Sequence, residues 1–491
     1  MTRQPYLRIN FNRHSAGRSL SVQQIVAAIK DQIATENVAP GCRLPPVRVL
    51  AHQLGMSKNT VQTAYDELVA QGLVESKARV GLFVASDPHP VEVIATAAVP
   101  PPAFVPLPPG QAAVHSSMTP ETPINLSSVF IDPALLPRER LAACFRAVLK
   151  QPRLQVAYHP QGFLPLRQVI AERLRRRGIS ASADDIVTTA GSQQALDLVC
   201  RVLACKRIAT ENPTYELGKR LFEMNRIETI GLPLDPFRGV DLETWEHIIA
   251  TREPALVYLT TNYQNPTGYS YSSSELHRIL DWSQQYGFGI LEDDWGSDML
   301  SFSEFKPSLR ARGGDGVLYI NAFTKKLLPA LRLGYIVGNG RTTPALVASK
   351  VASCLGLSSI VEAALFEFLD RGYYDVHIKQ LQHELDRRYR HCLHVLRQTM
   401  PAGVKWTTSG GGPCLWLELP KRVDRLQLKA RLAAHQVMIH LSDEAFFGTP
   451  HLHGFRIGYA LLAPEDMRRG LEIVAEELRR ALQRDCARVA G

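Results

Sequence analysis

Asn321-Ala-Phe-Thr-Lys325-Lys-Leu-Leu-Pro-Ala-Leu-Arg332-Leu-Gly-Tyr335 follows a short strand-like run, Val317-Leu-Tyr-Ile320. The order places Lys325 just past the strand, in a turn, among apolar residues that take it out of bulk water. A lysine so placed has a lowered ammonium pKa, and as a neutral amine it condenses with an aldehyde. Arg332 is positioned to hold a phosphate. Taken alone, the stretch also reads as a surface Lys-Lys pair beside a core strand.

Four more stretches favour the first reading. Thr188-Thr-Ala-Gly191-Ser192-Gln193-Gln-Ala-Leu196 is a strand end, a glycine turn and a helix start. Backbone N–H groups at such a helix start bind phosphate. Glu211-Asn-Pro-Thr-Tyr215 sets an aromatic ring after a turn. Thr261-Asn-Tyr-Gln-Asn265-Pro-Thr-Gly268 follows the apolar strand Ala255-Leu-Val-Tyr-Leu-Thr260. Ile290-Leu-Glu-Asp293-Asp294-Trp295 ends another apolar strand in acids. Each stretch falls at the carboxyl end of an expected strand, where ligands bind in open α/β sheets.

The ordered set G-S-Q-Q-A-L, P-T-Y, N-P-T-G, E-D-D and F-T-K…R-L-G-Y resembles a fold-type I aminotransferase, which binds pyridoxal 5′-phosphate (PLP). With the N-terminal region described next, the whole chain resembles the MocR/GabR-type branch of the GntR transcription regulators.

A chain of 491 residues is too long for one core. Its 45% hydrophobic and 21% charged residues are ordinary for a globular protein. The formal charge is +9. Ten Lys or Arg against five Asp or Glu lie in the first 85 residues, so about half of the excess sits in under a fifth of the chain. That asymmetry points to nucleic acid as a partner of the N-terminal part. The eight cysteines have no C-x-x-C spacing and read as reduced, mostly buried thiols of a cytoplasmic protein. Residues 1–20 are polar, without the apolar core of a signal peptide. No apolar run is long enough to span a bilayer.

Ser21 and Gln24 form a capping-box pattern, after which Val22, Ile25, Val26, Ile29 and Ile33 share a helical face. Leu44-Pro45-Pro46-Val47-Arg48 opens a second helix, with the prolines in its first turn. Ser57 caps a third, with Val61, Ala64, Tyr65, Leu68 and Val69 as its buried stripe. Val74 to Val84 reads as two short strands around a basic turn. Three helices and a basic hairpin make a winged helix-turn-helix. Ser57, Lys58, Asn59, Thr60 and Gln62 are hydrogen-bonding types suited to bases and phosphates. The region is similar to GntR-type domains at L-P-x-x-R, and the resemblance makes Arg48 a DNA-contacting arginine. The wing departs from the family's G-x-G-T-[YF]-V: Arg79 replaces the first glycine and adds a phosphate or minor-groove contact. The expected domains are 1–85 for DNA binding, a Pro-rich linker over 86–123 and a PLP-binding domain over 124–491.

Residues 124–491 alternate apolar strands with amphipathic helices, giving an α/β domain: a large, mostly parallel-sheet subdomain and a small C-terminal α+β subdomain from about residue 375. A helix is expected from Asp132 to about Lys150. Ala157-Tyr158-His-Pro-Gln-Gly162 resembles a family turn in which Tyr158 reaches the cofactor phosphate of a partner subunit, implying a homodimer; a tyrosine that packs the turn is the other reading. His451-Leu-His453 has metal-like spacing but no third ligand, and no metal site is expected.

The resemblance implies a role for each site residue. Lys325 joins the PLP aldehyde, and Asp293 faces the pyridine nitrogen and keeps it protonated. Asn265 donates to the phenolate oxygen. Tyr215 stacks on the ring. Gly191, Ser192, Gln193, Thr324 and Arg332 surround the phosphate, and Arg456 forks onto the carboxylate of an amino-acid ligand. Two positions depart from the family: Trp295 replaces a tyrosine whose hydroxyl also meets the phenolate, and Ala322 replaces a Ser or Thr that helps the phosphate. Both changes point to weaker PLP binding and weak or vestigial transaminase turnover. The leading reading is a PLP-dependent regulator that binds operator DNA and senses PLP, an amine or an amino acid. A working aminotransferase with a DNA-binding domain attached, and an empty dimerisation scaffold, are the competing readings.

Overall fold

The computed structural model describes residues 21–34, 39–78, 80–85, 124–151, 159–300, 308–408 and 410–489. They form two compact units, which divide between Val114 and His115.

The first unit holds α1 (Val22–Ala34), α2 (Val47–Leu54), α3 (Lys58–Ala70), β1 (Val74–Lys77) and β2 (Gly81–Val84). The capping box forms as expected: the Ser21 N–H donates to Gln24 Oε1 at 2.8 Å, and the Gln24 N–H donates to Ser21 Oγ at 3.3 Å. Ile25, Ile29, Leu50, Val61, Tyr65 and Leu68 make the core, each worth about 1.5–3 kcal/mol on burial. The Tyr65 hydroxyl satisfies itself on the Pro45 carbonyl at 2.9 Å. Val69 is exposed, being about 100° round the helix from Leu68; the expected stripe ends at Leu68. The prolines stand before α2 rather than in its first turn, with Pro46 as its N-cap. The hairpin pairs Val74 with Val84 and Lys77 with Gly81. Arg43 reaches over it, with its guanidinium above the Phe83 ring and donating to the Val80 carbonyl. Gly81 stands at φ 132°, a conformation that favours glycine, and a Cβ there would meet Arg43 Nε at 3.0 Å. Arg79 lies outside the described residues, as does the expected linker.

The second unit begins with β3 (Ile124–Asn125), α4 (Arg138–Leu149) and α5 (Leu164–Arg175). The helix expected from Asp132 is a single tight turn over Pro133–Leu135; Pro137 interrupts it, and α4 starts only after that proline. Then come β4 (Ile186–Thr189), α6 (Ser192–Val202), β5 (Arg207–Asn212), α7 (Glu216–Met224), β6 (Glu228–Asp235), β7 (Gly239–Val240), α8 (Leu242–Arg252) and β8 (Leu256–Leu259). They are followed by α9 (Ser273–Tyr286), β9 (Gly289–Asp293), α10 (Ser297–Leu300), α11 (Leu309–Gly313), β10 (Val317–Ala322), β11 (Gly334–Val337), α12 (Thr342–Cys354) and α13 (Ser359–Asp370). α14 (Tyr373–Thr399) leads to β12 (Lys405–Trp406), β13 (Cys414–Glu418), α15 (Arg425–Ala434), β14 (Val437–Met438), β15 (Gly454–Gly458) and α16 (Pro464–Val489).

The large sheet runs β4-β11-β10-β9-β8-β5-β6-β7. The strands from β10 through β6 pair in parallel, and β11 runs antiparallel to both β10 and β4. Helices cover both faces, so β8 buries all four of its residues. β12-β13-β15 form a small antiparallel sheet. α14 joins the two cores: Tyr374, Ile378, Leu381 and Leu385 pack with the large sheet, while Tyr389, Cys392, Leu393 and Leu396 pack with the small one.

Candidate functional site

β9 ends in three acids that the fold sends to three places. Glu292 accepts from the Leu309 and Arg310 N–H groups at 2.9 Å each and from the Thr261 hydroxyl at 2.6 Å, tying down the start of α11. Burial pushes its carboxyl up to about 7. Asp294, just past the strand, meets Arg177 at 2.9 Å and the Tyr319 hydroxyl at 2.6 Å. Burial alone would raise it, but Arg177 and Lys326 hold it below the usual carboxylate range.

Asp293 lies between them in the chain, buried and on the side of Lys325. Its Oδ2 accepts from the Tyr258 hydroxyl at 2.9 Å, while its buried Oδ1 has no hydrogen-bond partner. Burial pushes Asp293 up to about 6, against the lowering effects of Tyr258 and Lys325. A buried carboxylate oxygen left without a donor costs about 1–3 kcal/mol, so this atom is suited to a donor from outside the chain.

Lys325 follows β10 in the turn expected from the sequence. Its Nζ lies 4.0 Å from the centre of the Trp295 ring. Burial brings the amine down to about 8; Arg456 acts in the same sense and Asp293 opposes it. Trp295 thus offers its ring face to the amine. Ala322, at the end of β10, is buried and supplies only a methyl group.

Beside Lys325 the start of α6 forms an anion cradle. Gly191 caps the helix at φ 84°. A Cβ there would meet Thr324 Oγ1 at 3.3 Å and Arg332 Nη2 at 3.4 Å, so the glycine keeps the cradle open. Thr324 Oγ1 is buried without a partner, and Arg332 is held by a 3.0 Å bond to the Ala190 carbonyl. Ser192 opens the helix. The Gln193 amide donates to the Leu217 carbonyl at 3.0 Å, which leaves its buried Oε1 unpartnered. The N–H groups of a helix start, a guanidinium and an orphaned hydroxyl together fit a phosphate.

Tyr215 caps α7 at the cleft, its hydroxyl raised by burial and by Asp293. Asn265 Oδ1 accepts from Arg456 Nη1 at 2.6 Å, which turns the Asn265 amide nitrogen away from the guanidinium. Arg456 Nε donates to the Ser127 carbonyl at 3.1 Å, so part of the expected fork is used within the chain. Tyr258, Ser127 and the buried thiol of Cys414 were not singled out from the sequence. Cys414 carries a pKa pushed up to about 11 by burial. Of the three, Tyr258 had a signal, as the lone polar-tipped side chain in an aliphatic strand. Tyr158 lies outside the described residues.

His451 and His453 turn their Nε2 atoms to the Leu234 and Val423 carbonyls. Among the described residues no three His, Cys, Asp or Glu side chains are grouped to hold a metal, and no helix is long and apolar enough to cross a membrane. In the first unit Arg48, Lys58, Asn59 and Gln62 are exposed. Ser57 Oγ accepts from the Thr60 N–H at 3.1 Å and pairs with its hydroxyl, so both residues serve the cap of α3. Gln62 donates to Asp66 at 2.8 Å.

The profile of the Aminotransferase class I and II family matches residues 125–474, and that of the bacterial regulatory proteins of the gntR family matches residues 21–84. The chain is 30% identical over 433 residues to the uncharacterized HTH-type transcriptional regulator YdcR of Escherichia coli, covering 85% of this chain and 90% of the relative. It is 26% identical over 480 residues to the probable rhizopine catabolism regulatory protein MocR of Rhizobium meliloti, covering 91% and 92%. The crystal structure of LysN, the alpha-aminoadipate aminotransferase of Thermus thermophilus complexed with N-(5′-phosphopyridoxyl)-L-leucine, superposes with a TM-score of 0.68 at 26% identity, over 74% of this chain and 93% of that one.

Proposed function

The chain belongs to the aminotransferase class I and II family and carries a gntR-family DNA-binding head; from that premise we propose that it is a PLP-dependent transcription regulator whose second unit senses PLP together with an amine or amino acid. PLP, the cofactor of this family, supplies when bound an aldehyde and an electron-drawing ring. The observation that carries the reading is Asp293 Oδ1, buried and unpartnered in the same cleft as the Lys325 amine. In this reading Lys325 holds the aldehyde carbon. Asp293 holds the proton of the ring nitrogen, and Tyr258 fixes the carboxylate from behind. Thr324, Arg332, Gly191, Ser192 and Gln193 take the phosphate. Tyr215 covers the ring, and the Asn265 amide serves the phenolate. Arg456 binds the effector carboxylate.

The further assignments are a DNA-binding domain over 1–85, a linker over 86–123, a PLP-binding domain over 124–491, a homodimer and a cytoplasmic setting. Arg48, Lys58, Asn59, Gln62 and Arg79 contact operator DNA, with Ser57 and Thr60 at the helix start. The Trp295 ring face and the Ala322 methyl stand where the family pattern carries hydroxyls, which favours sensing over turnover.

The test is operator binding by the whole protein, titrated with and without PLP and candidate amino acids at one stated salt concentration. PLP should add a visible absorbance band that Lys325→Ala lacks, and an effector should change the operator Kd. A Kd that ignores PLP and every amine, with rapid amino-acid/keto-acid turnover, would leave the aminotransferase reading in its place.

A further inference from the structure

The sequence carries two adjacent aspartates and two adjacent lysines, and the fold splits both pairs in the same way. Asp293 and Lys325 face the cleft. Asp294 and Lys326 face the interior behind it. Lys326 is 1% exposed, and its Nζ meets Asp298 Oδ1 at 2.8 Å and Asn321 Oδ1 at 2.6 Å. Asp298 also accepts from the Tyr374 hydroxyl at 2.6 Å, and its carbonyl accepts from Gln382 Nε2 at 2.7 Å. The Lys326 carbonyl meets His377 Nε2 at 2.7 Å. A carbonyl only accepts, so the proton of this buried imidazole sits on Nε2.

Tyr374, His377 and Gln382 all belong to α14, the helix that joins the core of the large sheet to that of the small one. The residue next to Lys325 is therefore gripped from both ends by one rigid element, whose far half packs in the same core as β15, the strand of Arg456. A lysine buried this deeply is costly unless its partners are fixed, and here each is fixed.

We propose that Lys326 is a positioning residue for Lys325, held through its side chain by Asp298 and Tyr374 and through its carbonyl by His377, so that α14 sets where the Lys325 amine stands. The inference rests on the reading that Lys325 carries the cofactor. The charged and titratable groups facing that amine are Asp293 from β9, Arg456 from β15 and Cys414 from β13. Lys326 acts on it only through the backbone.

The test is a pH titration of the absorbance band of the PLP-loaded protein in wild type, His377→Leu and His377→Gln. Leu removes the donor to the Lys326 carbonyl, whereas Gln keeps an N–H donor. The band itself, and its loss in Lys325→Ala, tests the underlying reading separately. His377→Leu should move the titration midpoint by about half a unit or more and weaken PLP about fivefold, the effect of one hydrogen bond. His377→Gln should restore both toward wild type. A His377→Leu midpoint that overlays wild type, with only the melting temperature lowered, would overturn the proposal; so would equal shifts in the two variants. If His377→Leu does not fold, Tyr374→Phe, which removes only the hydroxyl on Asp298, is read in the same way: a shifted midpoint supports the proposal and a coincident one overturns it.

Discussion

Lys325 Nζ stands 4.0 Å from the centre of the Trp295 indole ring, against its face. An ammonium there is attracted by the ring quadrupole, a contact worth about 0.5–2 kcal/mol. The indole occupies space next to the amine while giving it no hydroxyl.

The first prediction concerns that contact. Trp295→Tyr should open space beside the amine and supply a hydroxyl. Transamination with the best amino acid should rise on the order of tenfold or more over wild type. Single-turnover spectra with amino acid and keto acid measure it. Unchanged turnover in a fully PLP-loaded variant would show that Trp295 does not limit transamination.

A second prediction follows from the depressed pKa of Lys325. The folded protein releases this proton near pH 8, whereas an unfolded chain holds it to about the ordinary value of 10.5. Between those values the unfolded state binds more protons, so stability rises with pH. Below pH 8 both states are charged and the cost of burying the ammonium is fully felt. Urea unfolding of the cofactor-free protein at pH 7.5 and 10 should show Lys325→Met losing on the order of 1–3 kcal/mol of the rise seen in wild type. Parallel curves for the two proteins would contradict the burial argument.

The anion cradle makes a third prediction. Arg332→Ala removes the guanidinium while leaving the α6 start and Thr324 in place. PLP affinity should fall by about 2–3 kcal/mol, or roughly 30- to 150-fold. Affinity for pyridoxal, which has no phosphate, should change little. An equal loss for both would mean that Arg332 supports the fold rather than the phosphate.

The fourth prediction lies in the DNA-binding unit. Lys58 is exposed in the first turn of α3. Lys58→Ala should weaken specific and non-specific DNA alike and lower the slope of log K against log salt by about one. Loss confined to one operator base pair would instead assign Lys58 to base reading.

Much of the site is legible along the chain because its parts are local. A glycine before a helix, an asparagine in a Pro/Gly turn and acids closing an apolar strand each announce a strand end, and their order fixes an α/β sheet. The N-terminal capping box and helical stripe are local in the same sense, and they failed only at Val69 and at the prolines before α2, where packing and boundary geometry decide. The turn at Pro133 failed likewise: the apolar pattern ran through Pro137, but a proline ring cannot continue a helix already begun.

What the chain order alone determined is the sequence of strand-end loops, and with it the fold and the set of candidate side chains. Local geometry is written in neighbouring residues, so one chain suffices to read it. Only the tertiary structure decided how the adjacent pairs divide. Asp293 keeps a bare oxygen in the cleft while Asp294 is neutralised by Arg177; Lys325 rests on Trp295 while Lys326 is locked by Asp298 and His377. The partners that settle those fates lie 28 to 117 positions away along the chain, and they meet only in the folded sheet.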